Sequence, residues 1–232
     1  MEEKEIDLRD YLRVVCQRKK MIGSIFILAV LVSGIISLLL PKTYMAEALV
    51  KIGIVTNIGF GKAGEYAGVF RSSEDVDNLQ EASYVLKGDS SIMGLRERLK
   101  LSEKELPIGY KKNQIISITP LEETSSIRIS CLTKRPALAK DMADALAGQF
   151  MARQKIIIER KKETFEQAQN MFKGQFTFNI EPSEILSSAA IPEYHLKPKI
   201  GLNILVAGIT SLMVGILAAF ILEYREKGKK DE

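Results

Sequence analysis

Few side chains in this 232-residue chain could carry covalent or metal chemistry. His195 is the only histidine, and a lone imidazole with no second His or Cys close in sequence does not make a metal ligand set. It is expected to be a solvated or interfacial residue. The two cysteines are Cys16 and Cys131. Cys131 alternates with Ile127 and Ile129, so it reads as a small buried residue on a strand face; an intermolecular disulfide is the competing use. Gly59-Phe-Gly-Lys62 resembles part of a phosphate loop. However, Thr56 stands where the loop needs its first glycine, and Ala63 where Ser or Thr would hold magnesium. The acid pair Glu122/Glu123 lies in a polar stretch and reads as solvated. No nucleophile, base and orienting group converge in the sequence. The expectation is therefore no catalytic residue, no metal site, no cofactor and no enzyme activity.

What dominates instead is the distribution of apolar residues. The chain is 46% hydrophobic and 27% charged. Met21 to Leu40 and Ile200 to Leu222 are free of charge, and each is long enough to cross a hydrocarbon core of roughly 30 Å as a helix. The first is longer than the ~7–15 residues of a signal-peptide core, so it reads as an uncleaved anchor. Within fifteen residues before Met21 there are five Lys/Arg (Arg9, Arg13, Arg18, Lys19, Lys20), and four follow Leu222 (Arg225, Lys227, Lys229, Lys230). Only Lys42, Lys51, Lys197 and Lys199 lie close to the spans on the other side. By the positive-inside rule both termini are expected in the cytoplasm. The predicted organisation is a cytoplasmic segment 1–20, a transmembrane helix 21–40, an external domain 41–199, a second transmembrane helix 200–222 and a cytoplasmic tail 223–232. Both spans carry small residues at i, i+4 spacing, Ala29, Ser33 and Ser37 in the first and Ala207, Ser211, Gly215 and Ala219 in the second. Such stripes allow close helix packing in lipid, within or between chains.

The external segment holds 23 Lys/Arg and 20 Asp/Glu, too mild an excess to suggest nucleic acid. Tyr44 to Ile52 alternates and reads as a strand. Residues 53–70 contain five glycines and read as a loop. Ser72-Ser73-Glu74-Asp75 reads as the start of a helix ending near Gly88, and Ser91–Leu101 as a second short helix. Gln114–Leu121 and Ser126–Thr133 read as a hairpin across the polar turn 122–125. From Pro136 to Phe172 apolar residues recur at helical steps, giving a helix of roughly 55 Å that would project beyond a small domain. Phe176 to Ile180 and Ile185 to Ile191 read as further strands, and Pro192 and Pro198 as a stiff return to the membrane. The fold class is α+β: two transmembrane helices flanking one external domain with a long projecting helix.

Several passages together resemble the polysaccharide co-polymerases, the Wzz-type chain-length determinants. Ile6-Asp-Leu-Arg-Asp-Tyr-Leu12 with Arg18-Lys-Lys20 is similar to the family's lead-in to its first span. Pro41-Lys-Thr-Tyr-Met-Ala-Glu-Ala48 resembles its first external strand, and Pro136-Ala-Leu-Ala-Lys-Asp-Met-Ala-Asp-Ala-Leu146 its Pro-led helix. Ala189, Pro192 and Pro198 match the motif Ala-x-x-Pro-x-x-Pro-x-x-Pro before the second span, with His195 at the middle proline. The resemblance covers nearly the whole chain and is weakest over 53–115. The external domain is short for enteric members, which implies a reduced membrane-distal arm.

The resemblance implies a non-enzymatic homo-oligomer in the bacterial inner membrane. It would act with a Wzy-type polymerase on a lipid-linked glycan and set the length of O-antigen, capsule or exopolysaccharide. Some relatives carry or recruit a cytoplasmic tyrosine kinase, so an adaptor that activates a separate kinase for capsule export is the alternative. A membrane sensor would need an output domain, for which about thirty cytoplasmic residues are expected to be too few.

Overall fold

The two uncharged runs fold as helices. A computed structural model describes residues 8–63, 66–171 and 176–228 of the chain. Ile6 and Asp7 of the lead-in, Phe172 of the long helix, and Lys229 and Lys230 of the tail lie outside the described residues. Helix α1 (Leu8–Gln17) precedes α2 (Lys19–Leu39), and α6 (Ile200–Gly228) is the last of the described elements. Both α2 and α6 are long and apolar enough to cross a membrane. They belong to one compact unit, which takes in the chain up to Lys42 and from Leu196 onward. The other unit is Thr43–His195.

Thr43–His195 is an α+β domain with two antiparallel sheets. The first has the strand order β4-β5-β1-β7, from Ile116–Leu121, Ser126–Thr133, Tyr44–Lys51 and Glu184–Ser187. Its inward face is built in rows across three strands. Ala46 pairs with Cys131 and Cys131 with Ile116; Ala48 pairs with Ile129 and Ile129 with Ile118. All six are buried, while Glu47, between Ala46 and Ala48, and Arg128, next to Ile129, are exposed. Period-two patterning at Ala46, Ala48 and Val50 thus becomes one apolar face, as a half-buried strand requires. The β4–β5 hairpin turns through a short 3-10 segment with Ser125 in the left-handed region (φ 45).

Helix α5 (Pro136–Met171) packs on that face. Its 36 residues make a rod of about 54 Å. Ala139, Met142, Ala143, Leu146 and Phe150 are fully buried in the same core as the sheet rows. Alanines on both partners let helix and sheet approach closely. Beyond Ile158 no described side chain of α5 is buried. There Phe165 stacks on Phe178 with ring centroids 4.9 Å apart, and Lys161 pairs with Glu74 at 3.3 Å.

The partner of this second half is a three-stranded sheet, ordered β3-β2-β6, from Tyr66–Asp75, Ile54–Ala63 and Phe176–Glu181. It corrects the reading of 53–70 as a loop. Three of its glycines lie inside paired strands, Gly59 opposite Phe70 and Gly61 opposite Gly68. Pairing on both sides of β2 overrides a composition that weakens strands locally. The expected cap at Ser72-Ser73 is also corrected. Ser73 is in β3, its hydroxyl 3.2 Å from that of Thr56, and helix α3 (Leu79–Leu86) starts at Asn78. The Asn78 carboxamide oxygen accepts from the N–H groups of Gln80 and Glu81, the usual N-cap geometry. Helix α4 (Asp89–Leu99) follows. The strand expected over Ile185–Ile191 is only Glu184–Ser187, and the chain from Ser188 on leaves the sheet.

A buried polar seam joins α5 to three corners of the domain. Gln154 is fully buried; its Nε2 donates to Asp77 Oδ2 at 2.9 Å, and its Oε1 accepts from Ser183 Oγ at 3.3 Å. Arg153 Nε donates to the same Asp77 oxygen at 3.1 Å. The Gly53 N–H donates to Ser183 Oγ at 2.9 Å. A side chain at 53 has no room: a Cβ there would lie 2.5 Å from the Glu181 carbonyl oxygen and 3.1 Å from the Ser183 nitrogen. Gly53→Ala is expected to lower stability by about 1–3 kcal/mol, since backbone atoms would have to move. Gly148→Ala, in α5 with its nearest atom Arg98 Nη1 at 3.9 Å, is expected to raise it by about 0.5–1 kcal/mol through helix propensity. Thermal unfolding of the detergent-solubilised chain checks both signs.

Candidate functional site

No reactive set assembles among the described residues, where no three His, Cys, Asp or Glu side chains gather in a metal-sized group. Cys131 is fully buried, and burial pushes its thiol up to about 12. It is therefore neutral near pH 7 and packs as an apolar residue, as its alternation indicates. Cys16 is exposed. Gly59–Lys62 lies within strand β2, not in the strand-to-helix turn that a phosphate loop needs. Glu122 is exposed and accepts a hydrogen bond from Gln80 Nε2 at 3.1 Å, and Glu123 is exposed beside it.

The built site in the helical unit is the contact between α2 and α6. The helices run antiparallel, and their contacts form a ladder along the pair. At one end Asn203 Nδ2 donates to the buried Ser37 hydroxyl at 3.0 Å, and Ser33 Oγ donates to the Asn203 carbonyl at 3.2 Å. In the middle, a Cβ on Gly208 would lie 3.1 Å from the Phe26 ring, and one on Gly215 would lie 3.2 Å from Ile22 Cγ2. Near the other end Ala219 is fully buried in a cluster with Val14 and Ile22. Arg18 then pairs with Glu226 at 2.7 Å and Glu223 at 3.4 Å. Of the small-residue stripes, Ser37, Ser211, Gly215 and Ala219 are buried, and Ala29, Ser33 and Ala207 are half-buried. The Ser211 hydroxyl turns back to the Gly208 carbonyl at 2.9 Å, so it contributes smallness and no cross-helix bond. Sequence reasoning passed over Asn203 and Gly208, and it counted Arg18 only as a flanking charge, without its glutamate partners. Asn203 was the findable one: a carboxamide inside an apolar helix needs an internal partner.

The motif before α6 is anchored at its first residue. Ala189 is buried, and its N–H donates to Asp144 Oδ1 of α5 at 2.9 Å. The other oxygen of Asp144 takes a 2.8 Å hydrogen bond from Lys140, which holds the Lys140 ammonium above its ordinary pKa. Pro192, His195 and Pro198 are half-buried. Asp144 was missed because its partner, a backbone N–H forty-five residues away, leaves no mark in sequence spacing.

Residues 4–88 match the family model of Wzz, chain length determinant protein. The match runs from the basic lead-in through α2, β1 and the glycine-rich hairpin to the end of α3. It thus extends well into the 53–115 region, where the resemblance is weakest. The Wzz match does not reach the α5 passage or the Ala189–Pro198 motif. Among solved structures, a full-length bacterial polysaccharide co-polymerase is similar at 13% identity with a TM-score of 0.47, covering 94% of this chain and 99% of that chain. Likeness at that level decides neither fold nor function. No curated protein matches the chain.

Two outcomes follow from this geometry. Gly215→Leu places a bulky side chain against Ile22 and should cost the helix pair about 1–3 kcal/mol. With cysteines at Ser37 and Asn203, and Cys16 and Cys131 replaced, crosslinking within the chain should fall; Gly23→Leu, with nothing within 4 Å of its Cβ position, should leave it unchanged. In the native chain at neutral pH, a maleimide should label Cys16 rapidly and Cys131 only after denaturation, as mass spectrometry of the labelled peptides would show.

Proposed function

We propose that the protein is a non-enzymatic, oligomeric regulator of surface polysaccharide chain length, working with a membrane polymerase on a lipid-linked glycan. The observation that carries this is the Wzz match over residues 4–88. Two apolar helices at the ends of the described chain, with an α+β domain between them, support it. In this reading 1–20 and 223–232 are cytoplasmic, 21–40 and 200–222 span the inner membrane, and 41–199 is external. The charge bias of nine basic residues against four supports that orientation. The small-residue stripes, including Ser211, Gly215 and Ala219, hold the spans in the geometry that assembly needs. Ala189, Pro192 and Pro198 fix how the external domain returns to the second span. Regulation then depends on shape and subunit contacts and not on any one reactive group.

Deletion of the gene should change the length distribution of the surface polysaccharide on a gel while polymer is still made. Loss of all polymer together with loss of phosphorylation of a separate tyrosine kinase would favour the adaptor reading instead. In complemented cells, alanine at Glu122, Glu123, Glu159 or His195, one at a time, should shift the distribution gradually. Leu146→Asp, at a fully buried position, should abolish control by burying an unpaired charge. An all-or-none loss from one of the four alanine variants in a folded oligomer would contradict the non-enzymatic reading. For orientation, an impermeant thiol reagent on intact spheroplasts should label a cysteine placed at 123 and not one placed at 231.

A further inference from the structure

Nine large apolar side chains are exposed among the described residues of Thr43–His195, and four of them fall within ten residues: Ile185 (44%), Leu186 (48%), Ile191 (56%) and Tyr194 (82%). Single exposed apolar residues are ordinary, but a cluster needs a partner. The first two belong to strand β7, whose register on β1 fixes them at the sheet edge. Ile191 and Tyr194 lie beyond the sheet, in a segment with no helix or strand of its own.

Connectivity limits what can cover that segment. Tyr194 precedes the first residue of α6 by six positions and Ile191 by nine. At roughly 3.3–3.6 Å per extended residue, they lie within about 20 and 30 Å of the start of α6 along the chain. That helix is apolar from its first turn and long enough to cross a membrane. The headgroup zone flanking a hydrocarbon core is itself about 5–8 Å deep on each side. Tyrosine, with an apolar ring and a polar tip, is enriched at this depth. Lys197 and Lys199 stand between Tyr194 and the helix, where ammonium groups can meet lipid phosphates. Pro192 and Pro198 disfavour helix at the residues before them, and the chain bends at Glu193 and Tyr194, so the segment does not run straight away from α6.

We propose that Ile191 and Tyr194 are a membrane-surface anchor, seated in the lipid headgroup interface beside the point where α6 enters the bilayer. Glu193, exposed between them, faces water. The anchor fixes the height of the last stretch of the domain over the membrane, a role that the helix pair alone does not supply. It rests on α6 crossing a membrane and is independent of which polymer the protein regulates.

The chain has no tryptophan, so one introduced tryptophan reports on its own surroundings. The full-length chain would be reconstituted as Tyr194→Trp, Ile191→Trp or Tyr84→Trp in vesicles of phosphatidylcholine and phosphatidylglycerol in equal parts. Tyr84, on α3, is 79% exposed and serves as the aqueous reference. Emission from positions 191 and 194 should be shifted to the blue of position 84. It should be quenched by phosphatidylcholine brominated in the upper acyl chain, and it should be less sensitive to acrylamide. Emission and acrylamide quenching equal to position 84 at either site would overturn the proposal. So would a blue shift shielded from both quenchers, since that marks burial against protein, a second copy of the chain included. Deleting the gene tests the regulatory role separately, so failure of one reading leaves the other standing.

Discussion

The α+β domain depends on one contact, the burial of the first half of α5 against the inward face of β1 and β5. Both chain connections to the helical unit start from elements fixed by it. β1 begins at Tyr44, five residues after the end of α2 at Leu39, and is clamped by its register on β5. Ala189, eleven residues before α6, is held by a carboxylate of α5 itself. The alanines at 46, 48, 139 and 143 make this possible, since larger side chains on both partners would push the helix away from the sheet. Apolar burial in this contact is continued by the seam from Asp77 through Gln154 and Ser183 to Gly53. Every buried polar atom named there has a partner, which is the condition under which a polar seam holds a core together instead of weakening it.

Much of this was legible because the signals were long. Two uncharged runs, the period-two alternation at Tyr44–Ile52 and Ser126–Thr133, and thirty-odd residues of helical spacing from Pro136 each exceed what chance patterning gives. Cys131 was placed correctly for the same reason: its neighbours at every second position are isoleucines. The hairpin over 54–75 was not legible. Its strands are held by pairing with each other and with β6, which lies more than a hundred residues further on, and its glycines remove the alternation that marks a strand. The misplaced helix start has a smaller cause. Ser72 and Asn78 are both capping residues, and only the register of β3 shows that the first is still in a strand.

At the helix pair, composition marked the residues that let the backbones approach, and it could not mark those that fix the register. A small-residue stripe says that a helix can be packed closely but not what lies opposite. Asn203 against Ser37, Phe26 against Gly208 and Ile22 against Gly215 set that register by shape and hydrogen bonding. Arg18 adds charge at the end of the ladder with two glutamates of α6. Specific polar contacts at both ends and small residues between them define one alignment among the many that two apolar helices could adopt.

The strand order β4-β5-β1-β7 also governs how the domain is made. β1 is the first strand to leave the ribosome and lies in the interior of the finished sheet. Its first partner, at Ser126 opposite Lys51, follows seventy-five residues later, and Glu184 on its other side follows after one hundred and thirty-three. At about 5–20 residues per second, β1 waits roughly 4–15 s for one neighbour and longer for the other. Non-local pairing of this kind is slow and leaves backbone groups unpaired meanwhile. Glu47 and Lys51 are the charged positions on β1, and charges of this kind on an unpaired strand disfavour pairing with another chain.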